Sequence, residues 1–142
     1  MNKTVKTVLI TILAMIAICG CLAIGAFFGP GLIRTIQMKP AYKIADMFMN
    51  DIQSGDLENA FTLVSDDIRQ NAGSAEALPV YLGILKPIES FDRGISIINN
   101  NKVEISVAYG AVFSDQTEAS IWLNLVKSED IWKISSVSVR EK

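Results

Sequence analysis

Histidine is absent from this chain of 142 residues. Its absence excludes a histidine general base, a Ser-His-Asp triad and any zinc site built on imidazole. The two cysteines, Cys19 and Cys21, both lie in an apolar stretch near the N-terminus, so the rest of the chain has neither a disulfide nor a thiol site. Acidic pairs such as Asp66-Asp67 lack the alternating oxygen ligands of a calcium loop. We therefore predict no cofactor, no metal and no catalytic residue.

Basic residues are scarce in the C-terminal part of the chain. All 15 acidic residues lie between positions 41 and 142, together with only nine of the 13 basic residues. This segment therefore has a net charge of about −6. An acidic domain gains nothing from phosphate backbones or anionic lipid surfaces, so we expect no nucleic-acid partner.

Charged residues are missing altogether from Thr7 to Ile33. At about 1.5 Å of rise per helical residue, the part from Thr7 to Phe28 is long enough to cross a hydrocarbon core of about 30 Å. Proline between two glycines, at Gly29-Pro30-Gly31, favours the end of a helix there. We predict a transmembrane anchor over residues 1–33, a juxtamembrane linker over 34–40 and one small domain over 41–142.

Two other interpretations of the apolar stretch stay open. A cleaved signal peptide also has a basic start, here Lys3 and Lys6, but no Ala-x-Ala-like site follows. The segment Ile18-Cys19-Gly20-Cys21 loosely resembles a lipobox in which Cys21 would be acylated, although the residues after it remain apolar.

The short basic start is the usual arrangement of a signal anchor. We therefore expect a single-pass protein whose C-terminal domain lies outside the cytoplasm.

Small residues recur every four positions along the predicted span, at Ala17, Cys21, Gly25 and Gly29. Such a ridge lets helix backbones approach closely and favours association with another membrane helix. Small residues are also common in spans, and such a stripe arises by chance as well. The predicted partners are the lipid bilayer and either a second copy of this chain or other membrane-protein subunits.

From position 41 onward, apolar residues recur with the period of an amphipathic helix, at Ala41, Ile44, Ala45, Phe48 and Ile52. Gly55 favours the end of this helix, and Asp56 is a good cap for a second helix. In that second helix the apolar positions are Leu57, Ala60, Phe61 and Val64. A third, shorter helix is predicted over residues 77–85.

After Pro87 the apolar period changes to two, which predicts strands. Four runs follow, at about 89–98, 102–113, 116–127 and 131–139, separated by polar turns. In the last run the apolar parity changes between Ile134 and Val137, which indicates either a bulge near Ser135-Ser136 or apolar neighbours on both faces. We predict an α+β fold: two to three helices packed on a curved four-stranded antiparallel sheet.

Two segments carry a family resemblance: the helix hairpin Ala45-xx-Phe48-xxx-Ile52-xx-Gly55-Asp56-xxx-Ala60-Phe61 and the closing Glu129-Asp130-Ile131-Trp132-Lys133-Ile134. With the order of elements, they resemble the nuclear transport factor 2-like, or cystatin-like, domains. The resemblance implies a cone between helices and sheet, which holds a substrate beside Asp, Tyr or His in enzymes such as ketosteroid isomerase and scytalone dehydratase. This chain does not match such a catalytic set residue by residue, so the resemblance implies a fold and a cavity.

The residues expected to approach or line such a cone are Asp92, Tyr109, Tyr81, Phe48 and Phe61. A buried carboxylate beside a phenol could transfer protons, because apolar burial raises the pKa of a carboxyl group towards neutrality. The alternative is that Asp92 is a solvated strand residue and that Tyr109 belongs to the core. The two interpretations differ in whether Asp92 and Tyr109 face one cavity.

Trp122 has the strand parity opposite to that of Ile121 and Leu123, which places it on the outer face of the predicted sheet. An aromatic side chain there could anchor a partner or a dimer. It could equally cover a helix or the N-terminal linker.

These features together predict a non-catalytic, single-pass membrane protein. Its domain would bind a protein or a small ligand at the membrane surface, as an accessory or assembly subunit of a membrane complex. The alternatives are a small-molecule isomerase or dehydratase with an Asp/Tyr pocket, and a lipoprotein acylated at Cys21.

Overall fold

The computed structural model describes residues 38–99 and 103–142. The predicted anchor and the small-residue ridge Ala17, Cys21, Gly25 and Gly29 lie outside these residues. No helix within the described residues is long and apolar enough to cross a membrane. The chain divides into two compact units, Met1–Lys39 and Pro40–Lys142, and the described fold is essentially that of the second unit.

Four helices precede the sheet in the described part of the chain. Helix α1 is described over residues 38–54 and ends at Gly55, whose positive φ of 80° suits glycine. The Asp56 side chain then accepts a hydrogen bond from the Asn59 backbone N–H at 3.3 Å and caps α2, Leu57–Leu63. Helices α3, Asp66–Ala72, and α4, Leu78–Tyr81, follow. Helix α3, of seven residues, was not among the helices predicted from the sequence.

The four strands form one antiparallel sheet in the order β1-β2-β3-β4. They are β1 Ile88–Ile98, β2 Glu104–Phe113, β3 Glu118–Ser128 and β4 Ile131–Glu141. The predicted α+β fold and the four-stranded meander are therefore confirmed for the described residues.

Bulges interrupt both outer strands of the sheet. In β4, Ser136 pairs with Asn124 and Ile134 with Leu125, which leaves Ser135 as the extra residue. Of the two explanations offered for the change of parity, the bulge near Ser135-Ser136 is therefore confirmed. In β1, the register shifts once between Ile88 and Ser90 and again between Arg93 and Ser96. These two shifts explain why the apolar alternation of β1 is imperfect in sequence, because each extra residue reverses the face of those after it.

The core lies between the helices and the inner face of the sheet. Its largest fully buried side chains include Phe48, Met49, Tyr109, Phe113, Leu123 and Ile134. The helical stripe predicted this arrangement only in part: Phe48 is fully buried, whereas Ile44 and Phe61 are half-buried. Met49, which lies outside the predicted stripe, is fully buried instead.

Helix α1 runs antiparallel to β1, as three side-chain hydrogen bonds show. The Tyr42 hydroxyl bonds to Ser96 Oγ at 2.9 Å, Arg93 donates to Asp46 at 2.9 Å, and Gln53 donates to the Glu89 carbonyl at 2.6 Å. Along these three pairs, the residue numbers in α1 rise while those in β1 fall. The N-terminus of α1 therefore lies beside the end of β1 at Ile98.

Replacing Phe48 by Ala should lower the free energy of unfolding by about 3–5 kcal/mol, because a fully buried ring is lost and a cavity remains. Phe61→Ala is the matched control, and the half-buried ring there should cost clearly less. Urea unfolding of the full-length protein in mild detergent, followed by the fluorescence of Trp122 and Trp132, measures both. Equal losses for the two variants would contradict the assigned core.

Candidate functional site

A polar cluster joins α1 to the inner face of the sheet. Asp46, on α1, accepts a hydrogen bond from the Tyr109 hydroxyl at 2.7 Å through Oδ1. Its other oxygen, Oδ2, accepts from the Arg93 guanidinium at 2.9 Å. Register places Arg93 directly opposite Tyr109, so the two donors converge on one carboxylate. We call Asp46, Arg93 and Tyr109 the inner polar cluster.

Two aromatic rings surround this cluster. The Arg93 guanidinium carbon lies 5.1 Å from the centre of the Tyr42 ring, within the range of a cation–π contact. Phe91 meets Tyr109 edge to face, with ring centres 5.8 Å apart. The aromatic neighbours and the ion pair fix the side chains of the cluster in place. Asp46 and Arg93 stay partly open to solvent, with side-chain exposures of 41% and 44%.

Tyr109 is the buried member of the cluster, with only 1% of its surface exposed. Burial raises the pKa of its phenol well above the ordinary value, and the hydrogen bond to Asp46 raises it further. The phenol is therefore neutral at physiological pH and donates its proton to Asp46. Because both oxygens of Asp46 already accept hydrogen bonds, this arrangement is suited to fixing the helix on the sheet.

Of the two interpretations of Asp92 and Tyr109, the shared cavity is wrong, and the alternative of a solvated Asp92 and a core Tyr109 is correct. Asp92 pairs in register with Gly110, one position away from the Arg93–Tyr109 pair, and successive side chains of a strand point to opposite faces. Phe91 and Arg93 both contact groups on the inner face, so Asp92 lies on the outer face, where it is exposed. The carboxylate that reaches Tyr109 comes from Asp46.

The remaining predicted pocket residues do not form one cavity with Tyr109. Phe48 is fully buried in the core. Phe61 is half-buried on α2, and Tyr81 on α4 is 48% exposed. Tyr81 instead borders a shallow groove with Ile68 and Val137, between α3, α4 and β4.

The apolar pattern did not predict a role for Asp46, because it indicates which face of α1 is buried and not which polar residue beside that face reaches the sheet. A signal for it exists. Tyr42, Asp46 and Gln53 lie at positions i, i+4 and i+11, so they follow one side of the helix next to the apolar stripe. A row of hydrogen-bonding side chains beside the buried stripe indicates the edge of the helix that meets the sheet.

A second charged cluster lies at the end of the sheet that contains the β2–β3 turn. Lys86 forms ion pairs with Asp115 at 2.9 Å and Glu141 at 3.0 Å. The hydrogen bond from Lys86 lowers the pKa of Asp115 to about 2. These contacts join the segment before β1, the β2–β3 turn and the end of β4. Among the described residues, no group of acidic or cysteine side chains is arranged to hold a metal ion.

The outer face of the sheet carries Trp122, as predicted. It pairs in register with Ala108 on one side and Ser138 on the other, and it is half-buried beside these small neighbours. Next to it, Asn124 accepts a hydrogen bond from Ser106 at 2.5 Å and donates one to Ser136 at 2.7 Å. This row of polar side chains crosses three strands.

A groove of about 530 Å³ lies over that row. Its volume is within the range of small-ligand sites, although it is open to solvent. The side chains that border it on the outer face are Ile97, Glu104, Ser106, Asn124, Val126 and Ser136. We call this surface, together with Trp122, the outer groove.

The domain has a nuclear transport factor 2-like fold. A nuclear transport factor 2-like protein of unknown function from Shewanella baltica matches it with a TM-score of 0.53 at 12% identity, over 76% of this chain and 95% of its own. A Campylobacter jejuni protein, provisionally named a transpeptidase of the same class, matches with a TM-score of 0.49 at 17% identity, over 67% of this chain and 96% of its own. No family model matches the chain, and no curated protein matches it significantly. The likeness to the Shewanella baltica protein, at 12% identity, shows the fold alone.

Asp46→Ala should lower the free energy of unfolding by about 1–3 kcal/mol, because it leaves the buried Tyr109 hydroxyl without its acceptor. Tyr109→Phe removes the hydroxyl and leaves the Asp46–Arg93 pair, so its free energy of unfolding should fall by only about 1 kcal/mol. Asp92→Ala is the control and should stay within about 0.5 kcal/mol of the parent. Urea unfolding measures the stability of the three variants. A loss of stability in Asp92→Ala as large as that in Asp46→Ala would contradict the assignment of Asp46 as the acceptor for Tyr109.

The inner polar cluster also predicts a dependence of stability on alkaline pH. The raised pKa keeps Tyr109 protonated in the folded state, whereas the unfolded phenol loses its proton near its ordinary value of 10.0. The stability due to this group is therefore fully present below about pH 10 and declines above it, by up to about 1.4 kcal/mol per pH unit. Unfolding curves from pH 8 to 11 should show a steeper decline for the parent than for Tyr109→Phe, and identical slopes would contradict the assignment.

Proposed function

We propose that this chain is a single-pass membrane protein whose nuclear transport factor 2-like domain binds a protein partner, without catalysis, as an accessory subunit of a membrane complex. The observation that carries the proposal is the outer groove. It joins a partly exposed tryptophan to a polar row and a concavity, all presented by strands of one sheet. Tryptophan is among the residues that most often anchor protein interfaces, and groups fixed on a sheet bind without further ordering.

The membrane part of the proposal rests on the uncharged stretch from Thr7 to Ile33, which is long enough to span a bilayer. The domain begins only a few residues later, so it would be held close to the surface on which its partner lies. The ridge Ala17, Cys21, Gly25 and Gly29 supports association with a second membrane helix.

The non-catalytic part is supported by the inner polar cluster. Its carboxylate is paired with both a phenol and a guanidinium, and these bonds join α1 to the sheet. The isomerase or dehydratase alternative needed Asp92 and Tyr109 in one cavity, and they lie on opposite faces.

Affinity purification of the tagged full-length protein from its native membrane, in mild detergent, tests the proposal. We expect one or more membrane proteins to co-purify in stoichiometric amounts. Trp122→Ser, and separately Ser138→Arg, which puts a large charge beside Trp122 at an exposed position, should reduce the recovery of that partner several-fold. Gln70→Arg, on the exposed side of α3, is the control and should leave recovery unchanged.

Recovery of the tagged protein as a clean monomer would contradict the accessory role. Unchanged recovery of the partner with both Trp122→Ser and Ser138→Arg would show that the partner does not bind at the outer groove. Gly25→Ile tests the ridge separately, because a bulky side chain there should weaken a complex held by helix packing. The intact mass decides the lipoprotein alternative, since processing at Cys21 removes residues 1–20.

A further inference from the structure

The outer face of the sheet carries opposite charges at its two edges. One row of in-register residues crosses all four strands there: Asp92, Gly110, Ser120 and Arg140. Residues directly opposite each other in a sheet share a face, so the whole row lies on the outer face. Asp92, on β1, and Arg140, on β4, are both exposed, and within the described residues neither forms an ion pair. The row therefore offers a free carboxylate at one edge and a free guanidinium at the other.

The next row contains Trp122 and exposes apolar surface. Trp122 lies between Ala108 on β2 and Ser138 on β4. Ile95, in the bulge of β1 opposite Ala108, is 66% exposed, and Ile97, one row further along, is 56% exposed. Exposed apolar residues that lie together with a tryptophan mark a surface for protein contact.

The polar row beside Trp122 can be covered without a large energetic cost. Asn124 accepts a hydrogen bond from Ser106 and donates one to Ser136, so both ends of its amide already have partners. Burial of polar groups is costly mainly when it leaves them without hydrogen bonds. Another protein surface can therefore lie over this row.

A two-fold axis parallel to the strands, placed over the outer face between β2 and β3, makes this face complementary to itself. The rotation exchanges the two edges of the sheet and keeps each row at its height, so β1 of one copy faces β4 of the other. Asp92 then faces Arg140 of the second copy, and Arg140 faces Asp92 of the second copy. Facing sheets pack about 10 Å apart, a gap that an arginine and an aspartate side chain span together.

The same rotation matches the sizes of side chains at the centre of the face. Trp122 faces Ala108 of the second copy, so a large side chain meets a small one, as interdigitating sheets require. A two-fold axis perpendicular to the strands instead lays β1 on β1 and β4 on β4, so Asp92 and Arg140 do not meet. The charges therefore favour the axis parallel to the strands.

The outer face is also large enough for a specific dimer. Four strands about 4.8 Å apart and about 33 Å long present about 600 Å² on each copy. Two copies would bury about 1,200 Å² in total, which is at the lower end of stable protein interfaces.

We propose that the protein partner of the outer face is a second copy of this chain, docked face to face about a two-fold axis parallel to the strands. This inference rests on the proposed function, which takes the outer groove as a protein-binding surface, and it names the protein that binds there. Two reciprocal ion pairs between Asp92 and Arg140 set the register of the two sheets. The contact of Trp122 with Ala108 forms the centre of the interface.

An exchange of charges between two tagged copies tests the dimer. Full-length chains with a hexahistidine tag and with a FLAG tag are co-expressed and extracted in mild detergent, and the FLAG copy recovered on nickel resin is measured. With Asp92→Arg in both copies, or with Arg140→Asp in both copies, like charges meet and recovery should fall several-fold. With Asp92→Arg in one copy and Arg140→Asp in the other, both ion pairs form again and recovery should return to that of the parent. Asp67→Arg in both copies, at an exposed position of α3, is the matched control and should leave recovery unchanged.

Reduced recovery that the mixed pair of variants does not restore overturns this inference, because the loss then comes from an effect on the single chain. Recovery that none of the charge reversals changes also overturns it, and its loss in Gly25→Ile would assign the contact to the predicted span. If no second copy is recovered, but another membrane protein is and its recovery depends on Trp122, this inference fails and the proposed function stands. Recovery of the tagged chain alone overturns both.

Discussion

The hydrogen bonds from Tyr109 and Arg93 to Asp46 are the interaction on which the domain's arrangement depends. They are made by one helix and two neighbouring strands, and they fix the direction and the height of α1 along β1. Phe48, half a turn further along the helix, is then directed into the core. A buried phenol needs an acceptor, so only helix positions that place a carboxylate over Tyr109 satisfy the core.

That same constraint sets the direction of α1. With α1 fixed antiparallel to β1, the N-terminal end of the helix lies beside the end of β1 at Ile98 and its C-terminal end lies towards the β2–β3 turn. The bulges in β1 and β4 then decide which residues of the outer strands face the helices and which face outward. The outer groove, bordered by Ile97, is a consequence of this geometry.

The nuclear transport factor 2-like fold explains the architecture without assigning a reaction. In this chain large side chains such as Phe48 and Tyr109 occupy the space between helices and sheet. A groove with a polar floor remains on the outer face of the sheet, beside Trp122, and the proposed binding function rests on it.

The sequence alone determined the elements and most of their inward faces, because apolar periods of about 3.6 and 2 are local properties. For the change of parity in the last strand it offered a bulge near Ser135-Ser136 or apolar neighbours on both faces, and only the register with β3 decided for the bulge. It could not determine which carboxylate reaches Tyr109, because Asp46 and Tyr109 are 63 positions apart and meet only when α1 docks. Phe61 and Met49 differ from their predicted burial for the same reason: a helix has several apolar positions, and the docking angle decides which of them are covered.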